Sequence, residues 1–320
     1  MPFLEAIRLA LQQIRVQKLK SFFTLLGVMI GVMFLIAVIS IVEGMSRYVE
    51  EDFAARLLGV NTFTLRRLPF VQVGGISEAE WREFQRRPRI YVRDAQLVRE
   101  ALPAGTRTAI ENTDFVYANA PLARPRQVQA IGTEPAYFRI KKYDLASGRV
   151  FTPQETEIGA RVLVIGTEVA EHFFPGLDPI DRELRIGGTP YRIIGVLEKQ
   201  GNVFGFSLDR MALAPHSSPI SRVTNPRGDV DGLIVQADSR ELMDEAMEAA
   251  RERLRGLRHL RPSDKDNFSF ETQDQALAFF DGIKSKLIVF GTALPAIGLV
   301  VGAMVIMNIM LVAVAERTRE

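Results

Sequence analysis

His172, His216 and His259 are the chain's three imidazoles, and it holds no cysteine. A metal centre built from one element needs ligands at short fixed spacing, such as H-E-x-x-H on a helix. None of the three histidines sits in such a pattern, and none is paired in sequence with a carboxylate at a catalytic spacing. No Gly-Lys dipeptide occurs, so the chain carries no phosphate-cradling G-x-x-x-x-G-K-[ST] loop, and G-x-S-x-G is absent too. Residues 201–206, GNVFGF, have the composition of a loop that could bind a ligand, although a plain surface loop has the same composition. Arg251-Glu252-Arg253 reads as a solvated helix face. Lys and Arg total 40 against 38 Asp and Glu, a net charge of +2, which gives no basis for a nucleic-acid partner. The expectation is a chain that is not an enzyme, with no catalytic, cofactor-binding or metal-binding residues of its own.

With no chemical site in view, the elements that organise the chain are two apolar stretches. Residues 287–315 carry no charge and lie between Lys286 and Glu316. A helix of that length rises roughly 43 Å against a bilayer core of about 30 Å. Residues 21–42 are likewise uncharged, between Lys20 and Glu43, and as a helix match the core at about 33 Å. That run exceeds a signal-peptide core and no A-x-A-like site follows, so a retained anchor is expected. Arg8, Arg15, Lys18 and Lys20 precede it, opposed only by Glu5. The positive-inside rule then puts the N-terminus in the cytoplasm and residues 43–286 on the far side of the inner membrane.

Leu4, Ile7, Leu11 and Ile14 line one face of a basic amphipathic helix over 2–20, suited to the membrane interface or to packing on protein. Gly27 and Gly31 form a G-x-x-x-G in the first apolar stretch, and Gly298 and Gly302 a second in the other, with Gly291 further back. Lacking Cβ atoms, such positions let helix backbones approach closely. Asn308 is the strongly polar residue deep in the second stretch, placed for an interhelical hydrogen bond or, less simply, a polar path. Pro295 is placed to kink that helix.

The intervening region opens with a helical continuation over 43–58, then a strand in VNTFTLRRL. Helices are predicted over about 77–86 and 93–102, parted by Pro88, and 108–120 reads as extended. Short β segments follow at 127–132 and 161–166, then a helix in VAEHFF. A hairpin is expected at 183–186 and 191–197 about Gly187-Gly188. Residues 232–236 read as a strand, 239–257 as a helix, 267–271 as a last strand, and 273–286 as a helix feeding the second apolar stretch. The fold class expected is a membrane protein of α+β type: two transmembrane helices flank a large extracytoplasmic α/β, porter-like domain (59–125 and 229–275) with an inserted β-rich subdomain (126–228).

Three stretches together resemble the permeases of MacB/FtsX-type ATP-binding-cassette (ABC) systems. They are the start, AIRLALQQIRVQKLKSFFTLLGVMIGV; the block RVLVIGTEVAEHFFPGLDPIDRELRIGGTPYRIIGVLEKQG; and the end, MNIMLVAVAERTRE. The resemblance implies four spans with the large external domain between the first two. It implies an ABC ATP-binding partner that holds the ATP and Mg, a second permease copy, and in many members a periplasmic adaptor and an outer-membrane channel. Motion outside the membrane would be driven by hydrolysis inside it, or mechanotransmission, for efflux or extraction of a substrate. Glu316, Arg317, Thr318 and Arg319 match the entry into the cytoplasmic coupling segment, which would place them near the ATPase. Because Glu320 falls where that segment begins, the chain is expected to be the permease's N-terminal half. A two-span receptor with an external sensor domain shares this topology, and a membrane-anchored external enzyme is disfavoured by the missing motifs.

Overall fold

The computed structural model describes residues 18–48, 61–69, 77–121, 123–203 and 206–317. The amphipathic helix expected over 2–20 falls almost wholly outside them, as does the continuation past Tyr48. The chain divides into two compact units, Met1–Val49 with Phe280–Glu320, and Glu50–Phe279.

The first unit holds helix α1, Lys18–Tyr48, and most of a second helix, Gln273–Arg317. The second is unbroken in assignment through Pro295. Their runs 21–42 and 287–315 carry no charge, so within those runs no face is reserved for water. At Gly291 the two helices approach closely: a Cβ built there would stand 2.3 Å from Val38 Cγ1. Counting only the described residues, no helix is long and apolar enough to cross a membrane.

The second unit is built on a ten-stranded mixed sheet. Its strands are β1 (Thr62–Arg66), β2 (Thr106–Ala120), β3 (Ala123–Thr133), β4 (Leu145–Gly148), β5 (Val162–Ile165), β6 (Glu183–Ile186), β7 (Thr189–Leu197), β10 (Met211–Pro215), β11 (Gly232–Ala237) and β12 (Ser269–Thr272). Strands β8 (Asn202–Val203) and β9 (Phe206–Ser207) form a separate hairpin. The helices are α2 (Glu78–Arg86), α3 (Val92–Ala101), α4 (Ala136–Ile140), α5 (Pro153–Glu157), α6 (Thr167–Phe173), α7 (Ser221–Thr224), α8 (Arg240–Leu257) and α9 (Gln273–Arg317).

Strand order is β12-β1-β11-β2-β3-β10-β5-β7-β4, with β6 bridging β7 to β2. The pairs β2–β3, β3–β10, β10–β5, β5–β7, β7–β6 and β6–β2 therefore close a ring of six strands. Ala118, Val128, Leu163, Leu184, Ile193 and Ala212, one from each ring strand, share a core with Phe173 of α6. Closure leaves these strands no free edge on the ring. The open part, β12-β1-β11 and the start of β2, carries α3 and α8 on one face, packed over Phe63, Leu65, Ile110, Leu233 and Val235. Met243, Ala246, Ala250 and Leu254 form the buried stripe of α8, at three- and four-residue spacing. We call these two parts the ring lobe and the porter-like lobe.

Local signals act where expected. Ser77 Oγ accepts from the Glu80 N–H at 3.3 Å while the Glu80 carboxylate accepts from the Ser77 N–H at 2.9 Å, a capping box that starts α2. Gly187 and Gly188, at φ 54° and 83°, make the two-residue turn of the β6–β7 hairpin. Strands β4 and β10 were not anticipated. All five residues of β10 are buried, and a short run buried on both faces has no alternation to betray it.

Candidate functional site

Strand β1 reads T-F-T-L-R. Its second and fourth residues, Phe63 and Leu65, face the helices, so Thr62, Thr64 and Arg66 face the other side of the sheet. Register brings Glu271 of β12 opposite Thr64, and Glu111 of β2 opposite Gly232, itself opposite Arg66. Three residues remote in sequence thus share one sheet face. Arg66 Nη2 donates to Glu111 Oε1 at 3.2 Å, and Arg66 Nε lies 2.8 Å from Glu271 Oε2. The carboxylate side chains are 13% and 11% exposed and the arginine 22%, so the group is sheltered enough for the ion pairs to count. Burial disfavours the Arg66 charge, but the Glu111 and Glu271 carboxylates outweigh it and raise its pKa.

The segment after β3 covers part of this face. Tyr137 of α4 is buried, and its phenol is pushed well above its ordinary value by burial, with the Glu111 charge adding to the shift. The same phenol hydrogen-bonds Glu111. The Lys141 ammonium lies 5.8 Å from the Tyr137 ring centroid. Beside Glu111, the Asp231 carboxylate accepts from the Thr113 N–H at 2.9 Å, and burial raises its pKa.

A second cluster crosses the same region. Glu134, at the end of β3, accepts from Arg99 Nη2 of α3 at 2.7 Å and from the Ile110 N–H of β2 at 3.0 Å. Its other oxygen lies 3.8 Å from His216 Nε2, just beyond β10. Thr133 Oγ1 donates to the Ile110 carbonyl at 2.6 Å. The two clusters fasten β1, β12 and α3 to β2, β3 and the segment beyond β10. Every contact in the two clusters is an ion pair or hydrogen bond between elements of the sheet and the segments packed on it.

The residues singled out from sequence do not converge. His172 Nε2 contacts the Arg124 carbonyl at 3.0 Å and its ring packs edge-on against Phe173. His259 sits at φ 51° just after α8, and His216 belongs to the Glu134 cluster, a carboxylate–histidine contact that sequence spacing does not disclose. Among the described residues no group of three or more His, Asp or Glu is placed to hold a metal. The base of the GNVFGF loop is closed by buried Asp209, whose carboxylate accepts from the N–H groups of Gln200 at 2.6 Å and Gly201 at 2.9 Å. Gly27 and Gly31 lie on α1, and Gly298, Gly302 and Asn308 on α9, where Asn308 is exposed. Glu316 and Arg317 end α9, and Thr318 and Arg319 lie outside the described residues.

Arg66, Glu111, Glu271, Tyr137 and Glu134 went unnoticed in the sequence. The available signal was alternation: T-F-T-L-R and T-R-T-A-I-E each put a charge on the polar side of a strand. Which charges meet depends on strand order.

Residues 21–253 match the model of the MacB-like periplasmic core domain. The macrolide export ATP-binding/permease protein MacB of Shewanella sp. (strain W3-18-1) is 27% identical over 99% of this chain, which covers 46% of that protein. MacB of Rhodospirillum rubrum is 29% identical, with the same two coverages. The chain thus spans about half the length of the curated relatives it matches. The periplasmic region of MacB from Actinobacillus actinomycetemcomitans superposes with a TM-score of 0.53 at 17% identity, over 73% of this chain and 97% of that one. The extracellular domain of the noncanonic ABC-type transporter YknZ from Gram-positive bacteria gives 0.51 at 20%, over 66% and 100%. These two likenesses show the fold alone, and the family match takes in the first apolar stretch. By that match the chain belongs to the MacB-like periplasmic core domain family, that of MacB-type ABC-transporter permeases.

Proposed function

We propose that this chain is the N-terminal half of the permease subunit of a MacB-type ABC transporter. Helices α1 and α9 cross the inner membrane, the domain between them stands in the periplasm, and a partner chain binds and hydrolyses ATP with Mg. Two permease copies assemble, and an adaptor with an outer-membrane channel completes the path where the cell has one. The chain itself performs no chemistry; it converts hydrolysis below the membrane into rearrangement above it, by mechanotransmission.

One observation carries this reading. Strand β12 ends at Thr272 and α9 begins at Gln273, so the helix proposed to span issues from the sheet with no intervening loop. On the sheet side β12 is held by its ladder to β1 and by Glu271 to Arg66. A helix resists bending because bending strains its hydrogen-bond ladder, so displacement of α9 is delivered to β12 rather than lost in a flexible joint. The ion pairs that tie β1, β12 and α3 to β2 and β3 fit a part that moves as a body.

The test is reconstitution of the complete permease with the ATP-binding subunit proposed as its partner. ATP-dependent movement of a macrolide, the compound class named for the relatives, or of another exported substrate is expected. Hydrolysis and movement should both be lost when a flexible Gly/Ser linker is inserted between Thr272 and Gln273. Undiminished transport with that linker would refute the mechanical reading.

A further inference from the structure

The two lobes share one strand. Residues 106–111 of β2 pair with β11 in the porter-like lobe, while residues 111–120 pair with β3 and 118–119 with β6 in the ring lobe. Glu111 is the residue in register with both sides, opposite Gly232 and opposite Thr133. No linker separates the lobes here; any hinge between them would have to break a continuous ladder at Glu111.

Arg66 holds that residue. Its guanidinium joins Glu111 to Glu271, so β1 and β12, the two strands next in sequence to the apolar helices, are tied to the shared strand where the lobes meet. The neighbouring Ile110 is held through its backbone from the ring-lobe side. Glu134 accepts its N–H and Thr133 donates to its carbonyl, while Arg99 of α3 closes the Glu134 contact from the porter-like side. Packing agrees. Ala109 and Ile234 of the porter-like lobe lie in one buried cluster with Ile131, Val164 and Leu213 of the ring lobe. A packed core does not shear gradually, because its contacts are lost as a set.

The geometry points to a periplasmic domain that moves as one rigid piece, with Arg66 as the positioning residue that fastens β1 and β12 to the strand shared by both lobes. This rests on the transporter reading above and departs from the simplest expectation for a domain with an insertion, which is a hinge between its parts. Transmission then ends in displacement of the whole domain relative to a second copy or an adaptor.

This chain holds no cysteine, so labels can be placed in it at chosen sites once any cysteine elsewhere in the assembly is replaced. Spin labels go on I158C in the ring lobe, where Ile158 is 79% exposed, and E252C on the outer face of α8. The complete permease with its ATP-binding subunit, in lipid, is measured nucleotide-free and trapped with a non-hydrolysable ATP analogue. We expect one narrow distance distribution, the same in both states. Arg66→Gln should broaden or split it and lower transport per ATP hydrolysed several-fold while hydrolysis continues; Arg66→Lys should restore much of both. Should Arg66→Gln not accumulate, Glu271→Gln reads the same contact.

A wild-type distance that shifts with nucleotide would overturn the inference, as would Arg66→Gln with a wild-type distribution and wild-type coupling. Failure of the chain to assemble with any ATPase would instead count against the transporter reading. The distance comparison between wild type and Arg66→Gln in lipid would still decide rigidity.

Discussion

Arg66 answers two carboxylates with one charge, and Glu111 turns to Tyr137 for a further hydrogen bond. Removing one member of such a sheltered group leaves a partner desolvated and unpaired, which costs more than the pair contributes when intact. That asymmetry keeps the contact closed. His216 offers a pH-dependent contrast. Burial lowers its pKa below 6.5, the Arg99 charge assists, and Glu134 opposes. The unfolded chain therefore takes up the proton first, so this contribution is complete above 6.5 and falls away as pH drops through the lowered folded-state value. Glu155 acts in a more acidic window: its hydrogen bonds with Arg149 depress it from 4.5 to about 2, and that stabilisation is present above 4.5 and lost as pH falls toward 2. Thermal unfolding of the purified protein across acid pH should show both declines, with His216→Gln flattening the upper one and Glu155→Gln the lower. A midpoint unchanged between neutral pH and 5 in the wild type would contradict the assignment to His216.

At the scale of the element, glycine was anticipated between the apolar helices, at Gly27, Gly31, Gly298 and Gly302. Gly291, placed with them in sequence, meets Val38. A methyl group at Gly291 has no room unless the Val38 side chain gives way, since its Cβ would lie 2.3 Å from Cγ1 and 3.2 Å from Cβ. Gly291→Ala should therefore weaken the pairing of α1 with α9, Val38→Ala alone should do little, and the double variant should recover. The expected coupling is about 0.5–3 kcal/mol, as for residues in contact, read from thermal or denaturant unfolding of the protein in detergent; purely additive effects would rule out that contact. Elsewhere the elements were legible where their periodicity is strong. Helix α8 shows its 3.6-residue stripe, the β6–β7 hairpin its Gly-Gly turn, and β2 its long alternation. Strand β10, buried along its whole length, and β4, four residues with little burial, carry no such rhythm.

At the scale of the molecule, the proposed topology sets the second unit outside and the chain start inside. Protease applied to intact spheroplasts should cut at the exposed Gly187-Gly188 hairpin region or the Leu177 loop and spare the N-terminus. Clipping of the N-terminus with a protected hairpin would invert the topology and with it the transmission proposed above. The expected division into a porter-like part and an inserted β-rich part meets a single ten-stranded sheet in which one strand serves both. Sequence reading places a boundary near 125 because short β segments with dense Gly and Pro follow it, whereas β2 and β3 pair across that position from Glu111 to Ala120. Chain order hides this, since pairing is decided by hydrogen bonds between strands far apart along the chain.

Local physics was enough to write down much of this protein from its residues: two long uncharged helices, capped helices, a glycine-turned hairpin, strands that alternate, and no motif for catalysis. Each depends on neighbours within a few positions, where rise, φ preference and side-chain period act directly. Strand order, the six-strand ring, and the meeting of Arg66 with Glu111 and Glu271 required the folded chain. Each arises from contacts between segments separated by tens to hundreds of residues, whose partners are chosen by burial of the whole core and not by any local preference.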